Sequence, residues 1–468
     1  MSFTDEQIRS IIRETVSKIM SSEAMSFSGN QGCLFDDAND AIAAAKAAQA
    51  KLMMLSLEKR GQLVEAMRAA AVENAEYLAR LAHEETGYGR VEDKIVKNIL
   101  SAQKTPGIED LETQAFSGDD GLTLVESAPY GVIGAITPST NPTSTVVNNS
   151  MSMIGAGNAV VFNPHPAAKH CSQEAMRLMN EAIVAAGGPD NLITCAKNPD
   201  LKSSDIIMSH PDIKMLAVTG GEGIVKVAMR SGKKAVCAGP GNPPVIVDET
   251  ADIPKAAADI VEGSSFDNNI MCFEEKECFA VASIADQLMD EMVKNNCVRI
   301  YGADIDKVRD TVLINKDGKL IINRKFVGKN ANYILQVAGI PCAGDPRLVI
   351  CEVDKDHPFV HVEMMMPVLG IVRCEDFEVA LAEAFRAENG CWHSSMIHST
   401  NVKRLSRAAK VMNTTIFVKN GPSSAGLGFG GEGFSTLTIA TPTGEGLTSA
   451  RTFTRKRRCV LRGDFRII

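Results

Sequence analysis

Between residues 130 and 230 the hydrophobic period switches repeatedly between that of a strand and that of a helix, and this alternation limits the chain to very few architectures. Tyr130 to Ile136 reads as a strand, 143 to 155 as a helix, Asn158 to Phe162 as a strand, and 167 to 186 as a helix ending at Gly187-Gly188. Leu192 to Ala196 is again a strand, Ser203 to Ser209 a helix, Ile213 to Val218 a strand and Gly223 to Arg230 a helix. Strand-then-helix units in series are the signature of a parallel, doubly wound α/β sheet. Ligands of such sheets bind beyond the carboxyl ends of the strands. Three loops leave those ends: Thr137-Pro138-Ser139-Thr140-Asn141-Pro142, Asn163-Pro164-His165-Pro166 and Thr219-Gly220-Gly221-Glu222-Gly223. All three are expected to face a cofactor.

The flanking regions differ. From about 35 to 103 the pattern is helical and alanine-rich, with Gly87 or Gly89 as a stop. A second α/β pattern follows Gly239 and ends in a glycine-rich tract at 421 to 433. That tract contains Gly428-Phe429-Gly430-Gly431-Glu432-Gly433, a formal dinucleotide fingerprint. The fingerprint works only where a helix follows and offers its N-terminus to a phosphate. Here Phe434 to Thr441 looks extended, so a loop covering a substrate channel fits better. With 468 residues, two or three domains are expected.

Composition narrows the partners. A net charge of −8 with 5% aromatic residues argues against a nucleic-acid binder and for a small-molecule ligand. Twelve cysteines without a C-x-x-C pair, no secretory leader and no membrane-spanning apolar run point to a reducing cytosol without disulfides.

One cysteine stands apart. Cys272 lies in Ser265-Phe266-Asp267-Asn268-Asn269-Ile270-Met271-Cys272-Phe273-Glu274-Glu275-Lys276, a non-periodic stretch between helical patterns at 253 to 263 and 284 to 293. Most cysteines are small buried hydrophobes, but functional side chains gather on such loops. His357-Pro358-Phe359-Val360-His361-Val362-Glu363 suggests a metal site at first sight. Its proline and valines favour an extended run in which residues four apart stand about 13 Å apart, too far to share one ion, and no metal is expected. The basic run Arg455-Lys456-Arg457-Arg458, between Phe453 and Val460, reads as a solvated strand.

The N-terminus forms its own unit. Thr4-Asp5-Glu6-Gln7 has capping-box spacing, and Ile8, Ile11, Ile12, Val16 and Ile19 then fall on one helical stripe over residues 1–20. Small polar residues at 21–32 read as a flexible linker. The stripe needs a cover, either a partner or the body of its own protein or a sister subunit; mixed charges disfavour a membrane surface.

A nucleotide-type α/β domain followed by a loop cysteine in a second domain resembles the aldehyde dehydrogenase superfamily, and within it the CoA-acylating aldehyde dehydrogenases of bacterial propanediol and ethanolamine utilisation. The resemblance spans nearly the whole chain. It rests on the segments 137–142, Ala217-Val218-Thr219-Gly220-Gly221, Gly239-Pro240-Gly241-Asn242-Pro243-Pro244, 265–276, Glu363-Met364-Met365-Met366-Pro367 and 441–451. It implies two doubly wound α/β domains plus a small β oligomerisation element. The implied boundaries are 33–237 for NAD binding, with an oligomerisation hairpin at about 112–128, 238–451 for the catalytic thiol, and 452–468 for a C-terminal strand that joins a neighbouring subunit's sheet in dimers or tetramers.

The resemblance also implies roles. Cys272 is the nucleophile on the aldehyde carbonyl, and the side chain of Asn141 with the backbone N–H of Cys272 holds the developing oxyanion. Thr137, Pro138, Asn163, Pro164, His165, Thr219, Gly220 and Gly221 line the NAD cleft, and Glu363 grips the nicotinamide ribose. Two departures matter. Hydrolytic members carry a water-activating glutamate where this chain has Cys237, which implies release of the acyl group to coenzyme A instead of water. Asn163 stands where many members bind the adenosine ribose with lysine, which leaves NAD against NADP open while the resemblance favours NAD. Met364 to Met366 could shape the aldehyde pocket or simply fill core gaps.

The expected substrate is a short aliphatic aldehyde, propanal ahead of acetaldehyde. Residues 1–20 resemble encapsulation peptides, which implies a bacterial cytoplasmic enzyme held in a microcompartment through a shell protein or other cargo. A non-redox cysteine acyltransferase is the rival reading, although no histidine lies near Cys272 in sequence. A structural cargo with lapsed catalysis is disfavoured by the intact set Asn141, Cys272 and Glu363.

Overall fold

The computed structural model describes residues 32–468. The expected amphipathic helix and all but the last residue of the linker lie outside the described residues.

The alternating stretch forms a six-stranded, all-parallel sheet: β1 (Leu34–Phe35), β2 (Val132–Thr137), β3 (Ala159–Pro164), β4 (Ile193–Ala196), β5 (Ile213–Thr219) and β6 (Lys234–Ala238). Their order is β1-β4-β3-β2-β5-β6. β2, β3 and β4 are buried throughout, as expected of strands covered on both faces. Helices Pro142–Gly155, Lys169–Ala185, Leu201–Ser209 and Glu222–Arg230 connect or follow the strands. Local chemistry sets their ends. Pro142 occupies the first turn of its helix, and Asp200 and Ser203 form a capping box. Helices Ala38–Leu52, Leu57–Glu73, Ala75–Thr86 and Val91–Lys104 precede β2. Gly87, at φ 66°, closes the third in the left-handed conformation that suits glycine.

The second sheet has seven parallel strands: β7 (Pro244–Val247), β8 (Glu277–Val281), β9 (Cys297–Arg299), β10 (Leu348–Glu352), β11 (Val368–Cys374), β12 (Ser394–His398) and β13 (Ile416–Lys419). The order is β9-β10-β11-β8-β7-β12-β13. Central β8 corrects the sequence reading, which put only a turn between the helices flanking Cys272. Its five residues are all buried and follow three charged residues, so no two-residue period shows. The expected boundaries place 440–451 with the thiol domain, yet Ala440, Ala450 and Phe453 pack into the core of the first sheet.

A third, antiparallel sheet joins the hairpin Gln114–Gly118/Gly121–Pro129 to Thr454–Arg462. The expected C-terminal strand is present over Thr454–Arg462. The C-terminal strand pairs with its own chain's hairpin and occupies an edge, with Arg455 to Arg458 exposed. The segment at 357–363 also differs from its expected extended form. Pro358–His361 is a short helix, because the His357 ring accepts from Phe359 N at 3.2 Å and Pro358 suits a first turn. His361 Nε2 lies 2.9 Å from the Lys355 carbonyl oxygen. Among the described residues no group of three or more His, Cys, Asp or Glu could hold a metal ion, and no helix is long and apolar enough to cross a membrane. The twelve cysteines are free thiols.

Candidate active site

The loop bearing Cys272 is bent by three consecutive left-handed residues, Asp267, Asn268 and Asn269, at φ 45°, 58° and 59°. Such backbone costs about 1–3 kcal/mol per non-glycine residue and persists only where the surroundings over-determine it. They do. Arg90 donates from its N–H to Asp267 Oδ1 at 2.9 Å and from Nε to Asn268 Oδ1 at 3.0 Å. Asn268 Nδ2 donates to Asn330 Oδ1 at 2.7 Å, and Asn269 Nδ2 to the carbonyls of Ser264 and Glu275 at 2.7 and 2.8 Å. Cys272 emerges half-buried from this frame.

Burial pushes the Cys272 thiol up to about 12, the Glu363 carboxylate adds to the shift, and Lys276 opposes it. Lys276 is itself 1% exposed, and its ammonium donates to the carbonyls of Asn269 and Met271 at 2.9 Å each. The resting nucleophile is therefore a thiol, and something must take its proton. We expect alkylation of Cys272 by iodoacetamide in the apoenzyme to be slow at pH 7 and to rise about tenfold per pH unit toward pH 10, because only the thiolate reacts. A pH-independent rate, read by peptide mapping, would show a thiolate already formed.

A histidine that local sequence gave no reason to single out packs against the same glycine as the backbone of this cysteine. A Cβ built on Gly241 would lie 2.7 Å from the Cys272 carbonyl oxygen and 2.8 Å from His393 Cγ, so the two residues converge on one glycine. His393 is fully buried, its Nδ1 lies 2.8 Å from Ser394 Oγ, and Nε2 has no hydrogen-bond partner among the described residues. Burial, reinforced by Lys276, pushes it down to about 3, so the ring is neutral. Glu388 Oε1 accepts the His393 N–H at 2.8 Å and fixes the strand entry.

Asn141 sits at the start of helix Pro142–Gly155 without capping it. A turn asparagine usually folds onto its own backbone. This one is buried, accepts from Lys97 Nζ at 2.7 Å through Oδ1 and donates from Nδ2 to Thr140 Oγ1 at 3.2 Å. Thr137 ends β2, Pro138 and Asn141 follow it, His165 follows β3, and Gly220 and Gly221 follow β5, so the three loops leave adjacent strands on one side of the sheet. His165 N donates to Thr137 O at 3.0 Å, and Thr219 Oγ1 contacts Thr438 Oγ1 at 3.1 Å.

These residues fit a dinucleotide. Thr137 Oγ1 is buried without a partner among the described residues. Gly221 begins a nine-residue helix with no side-chain cap, and a Cβ there would meet open space, the usual setting for a phosphate. Asn163 contributes differently from expectation. Its Oδ1 accepts from Ser203 Oγ at 2.6 Å and its Nδ2 donates to Asp200 O at 3.3 Å, so its amide is occupied by the neighbouring turn. Glu363 is half-buried, and desolvation raises its carboxyl; Gly241 N donates to it at 3.5 Å.

Cys237 is fully buried and pushed up to about 11 by burial and by Glu445. Glu445 is ion-paired with Lys234. The glycine-rich tract forms one wall of a cavity of about 620 Å³, opposite Val96, Ile99, Leu100, Gln103 and Lys104 on helix Val91–Lys104. Phe429 from that tract meets Phe266, next to the strained turn, with ring centroids 6.4 Å apart. Met364 and Met366 are core residues and do not line this cavity.

A dinucleotide-type sheet set beside a loop thiol and a buried amide is the architecture of an oxidoreductase that works on a carbonyl. The chain belongs to the aldehyde dehydrogenase family, whose model matches residues 23–449. It is 47% identical over 466 residues to the acetylating acetaldehyde dehydrogenase EutE of Salmonella typhimurium, covering 99% of each chain. It is 45% identical over 463 residues to the CoA-propanoylating propanal dehydrogenase of the same species, covering 98% of this chain and 99% of that one. Among solved structures, a propionaldehyde dehydrogenase from the Clostridium phytofermentans fucose utilisation bacterial microcompartment superposes with TM-score 0.91 at 50% identity, covering 94% of this chain and 100% of that one.

Proposed function

We propose that this protein oxidises a short aliphatic aldehyde to its coenzyme A thioester with NAD as oxidant. The observation that supports this reading is the packing of the Cys272 backbone and the His393 ring on either side of Gly241, beside a position, Cys237, where the resemblance places the water-activating acid of hydrolytic members. His393 Nε2 takes the thiol proton. Burial disfavours each charge alone, and transfer between neighbours creates both together. The Cys272 sulfur then bonds to the carbonyl carbon, and the negative oxygen is held by Asn141 Nδ2 and the Cys272 N–H. NAD, held by the loops after β2, β3 and β5 and by Glu363, supplies the hydride acceptor when bound. Loss of hydride from the thiohemiacetal carbon leaves a thioester on Cys272. With no carboxylate at 237 to activate water, that thioester persists until the thiolate of coenzyme A attacks it and Cys272 leaves.

The aldehyde enters through the cavity between helix Val91–Lys104 and the glycine-rich tract. Propanal and acetaldehyde differ by one methylene, which a pocket separates by only about 10- to 200-fold. The named relatives divide between the two aldehydes. NADH formation with each aldehyde, with and without coenzyme A, tests the proposal. Turnover that needs coenzyme A supports it, and steady turnover without it means release of a free acid. His393 beside Cys272 equally suits the rival, a non-redox cysteine acyltransferase, and a complete lack of aldehyde-dependent NADH would favour that reading.

The protein works as a homo-oligomer, dimer or tetramer, using the free edge of its three-stranded sheet, where Val460 and Leu461 are 60% and 50% exposed. Residues 1–20 attach it to a microcompartment shell protein or other cargo in the bacterial cytoplasm; the source of the Clostridium structure supports this placement. Deleting residues 1–20 is expected to leave kcat within about twofold while abolishing co-sedimentation with shells. Unchanged co-sedimentation would remove the role assigned to this segment.

A further inference from the structure

We propose that Lys97 is a positioning residue that sets Asn141 for its work on the oxyanion. This rests on the reading of Asn141 as the side-chain donor. Asparagine presents either a carbonyl or an NH2 to a substrate, and its neighbours decide which. Lys97 Nζ donates to Asn141 Oδ1 at 2.7 Å, which ties the carbonyl to a cation and leaves the NH2 as the face offered to a negative oxygen. The same ammonium bonds Asp267 Oδ2, which Lys94 Nζ also reaches at 3.0 Å. Lys94, Lys97 and Asp267 are 2%, 3% and 0% exposed.

This cluster does more than fill space. Asp267 belongs to the left-handed turn that aims Cys272, and Asn141 starts the helix behind β2. Lys97 thus ties together the elements carrying both oxyanion donors, the amide of Asn141 and the N–H of Cys272. Its charge also polarises the Asn141 amide toward donation. Lys94 provides an internal comparison, since it shares Asp267 but makes no hydrogen bond to Asn141.

The test uses the full-length enzyme with saturating NAD and coenzyme A. Lys97→Met is expected to lower kcat and kcat/KM for the aldehyde together by about 10- to 100-fold with KM little changed, the pattern of an interaction made in the transition state. Lys94→Met should match its loss of thermal stability while keeping kcat within about threefold. Lys97→Gln, which retains an N–H donor for Asn141 Oδ1, should recover part of the rate and serves should Lys97→Met fold poorly. In an Asn141→Ala background the further cost of Lys97→Met should fall below about twofold. Equal costs in both backgrounds, or a loss carried wholly by KM, overturn the role of Lys97 alone. An Asn141→Ala enzyme at wild-type rate overturns the oxyanion reading itself, and with it this proposal.

Discussion

Replacing Cys272 by alanine should remove aldehyde-dependent NADH formation by about 10⁴-fold or more, with or without coenzyme A. Without the sulfur there is no thiohemiacetal from which hydride can leave, and no thioester for coenzyme A to receive. The anchors of the turn at 267–269 lie on other side chains, so the loop and the fold should survive. The measurement is initial-rate NADH formation on folded variant, with the melting temperature recorded alongside. Residual turnover within tenfold of wild type would place the nucleophile elsewhere among the twelve cysteines.

His393→Gln should follow with a loss of about 100-fold or more at pH 7, the range for removing a positioned base. The sign of its pH dependence is specific. The wild-type ring is pushed down to about 3, so it remains neutral and able to accept a proton throughout pH 5–9. A fall in wild-type activity below pH 6 therefore cannot be the titration of His393. In the variant the thiol, pushed up to about 12, must ionise unaided, so its deficit should shrink as pH rises. Rates at pH 7 and pH 9 decide the matter, and a deficit independent of pH would reduce His393 to a packing role.

The four middle strands of the doubly wound sheet were legible because their elements alternate periods and glycines and prolines punctuate the joins, whereas the two-residue β1 and the outer strand β6 were not. β8 was not, since five buried residues behind Glu274-Glu275-Lys276 carry no period. The short helix at Pro358–His361 hid behind valines and a proline that favour extension, yet the His357 ring bonds Phe359 N and starts a turn. In the site, Cys272 could be singled out because a cysteine on a loop is unusual. Lys94, Lys97, Lys276 and His393 could not. Lysines three apart on a helix read as a solvated face, and only the fold reveals that Asp267 faces them across 170 residues or more. The His393 ring and the Cys272 backbone pack against Gly241 from distant parts of the chain, which no local pattern announces. The family resemblance supplied Asn141 and Glu363, where local sequence alone would have left a turn residue and a strand-end acid.

The ties made by helix Val91–Lys104 have a mechanical consequence. The helix packs with the first half of the molecule, yet Arg90 grips Asp345 at 3.0 Å, Asp93 meets Arg347 at 2.6 Å, and Lys94 and Lys97 hold Asp267, all in the second half. Of these ties only the two lysines on Asp267 are fully buried, while Asp345 is half exposed, so the buried cluster is the one that most resists separation of the halves. The two sheets are thus tied together through one helix and the arginine before it, and they are expected to unfold in a single calorimetric transition.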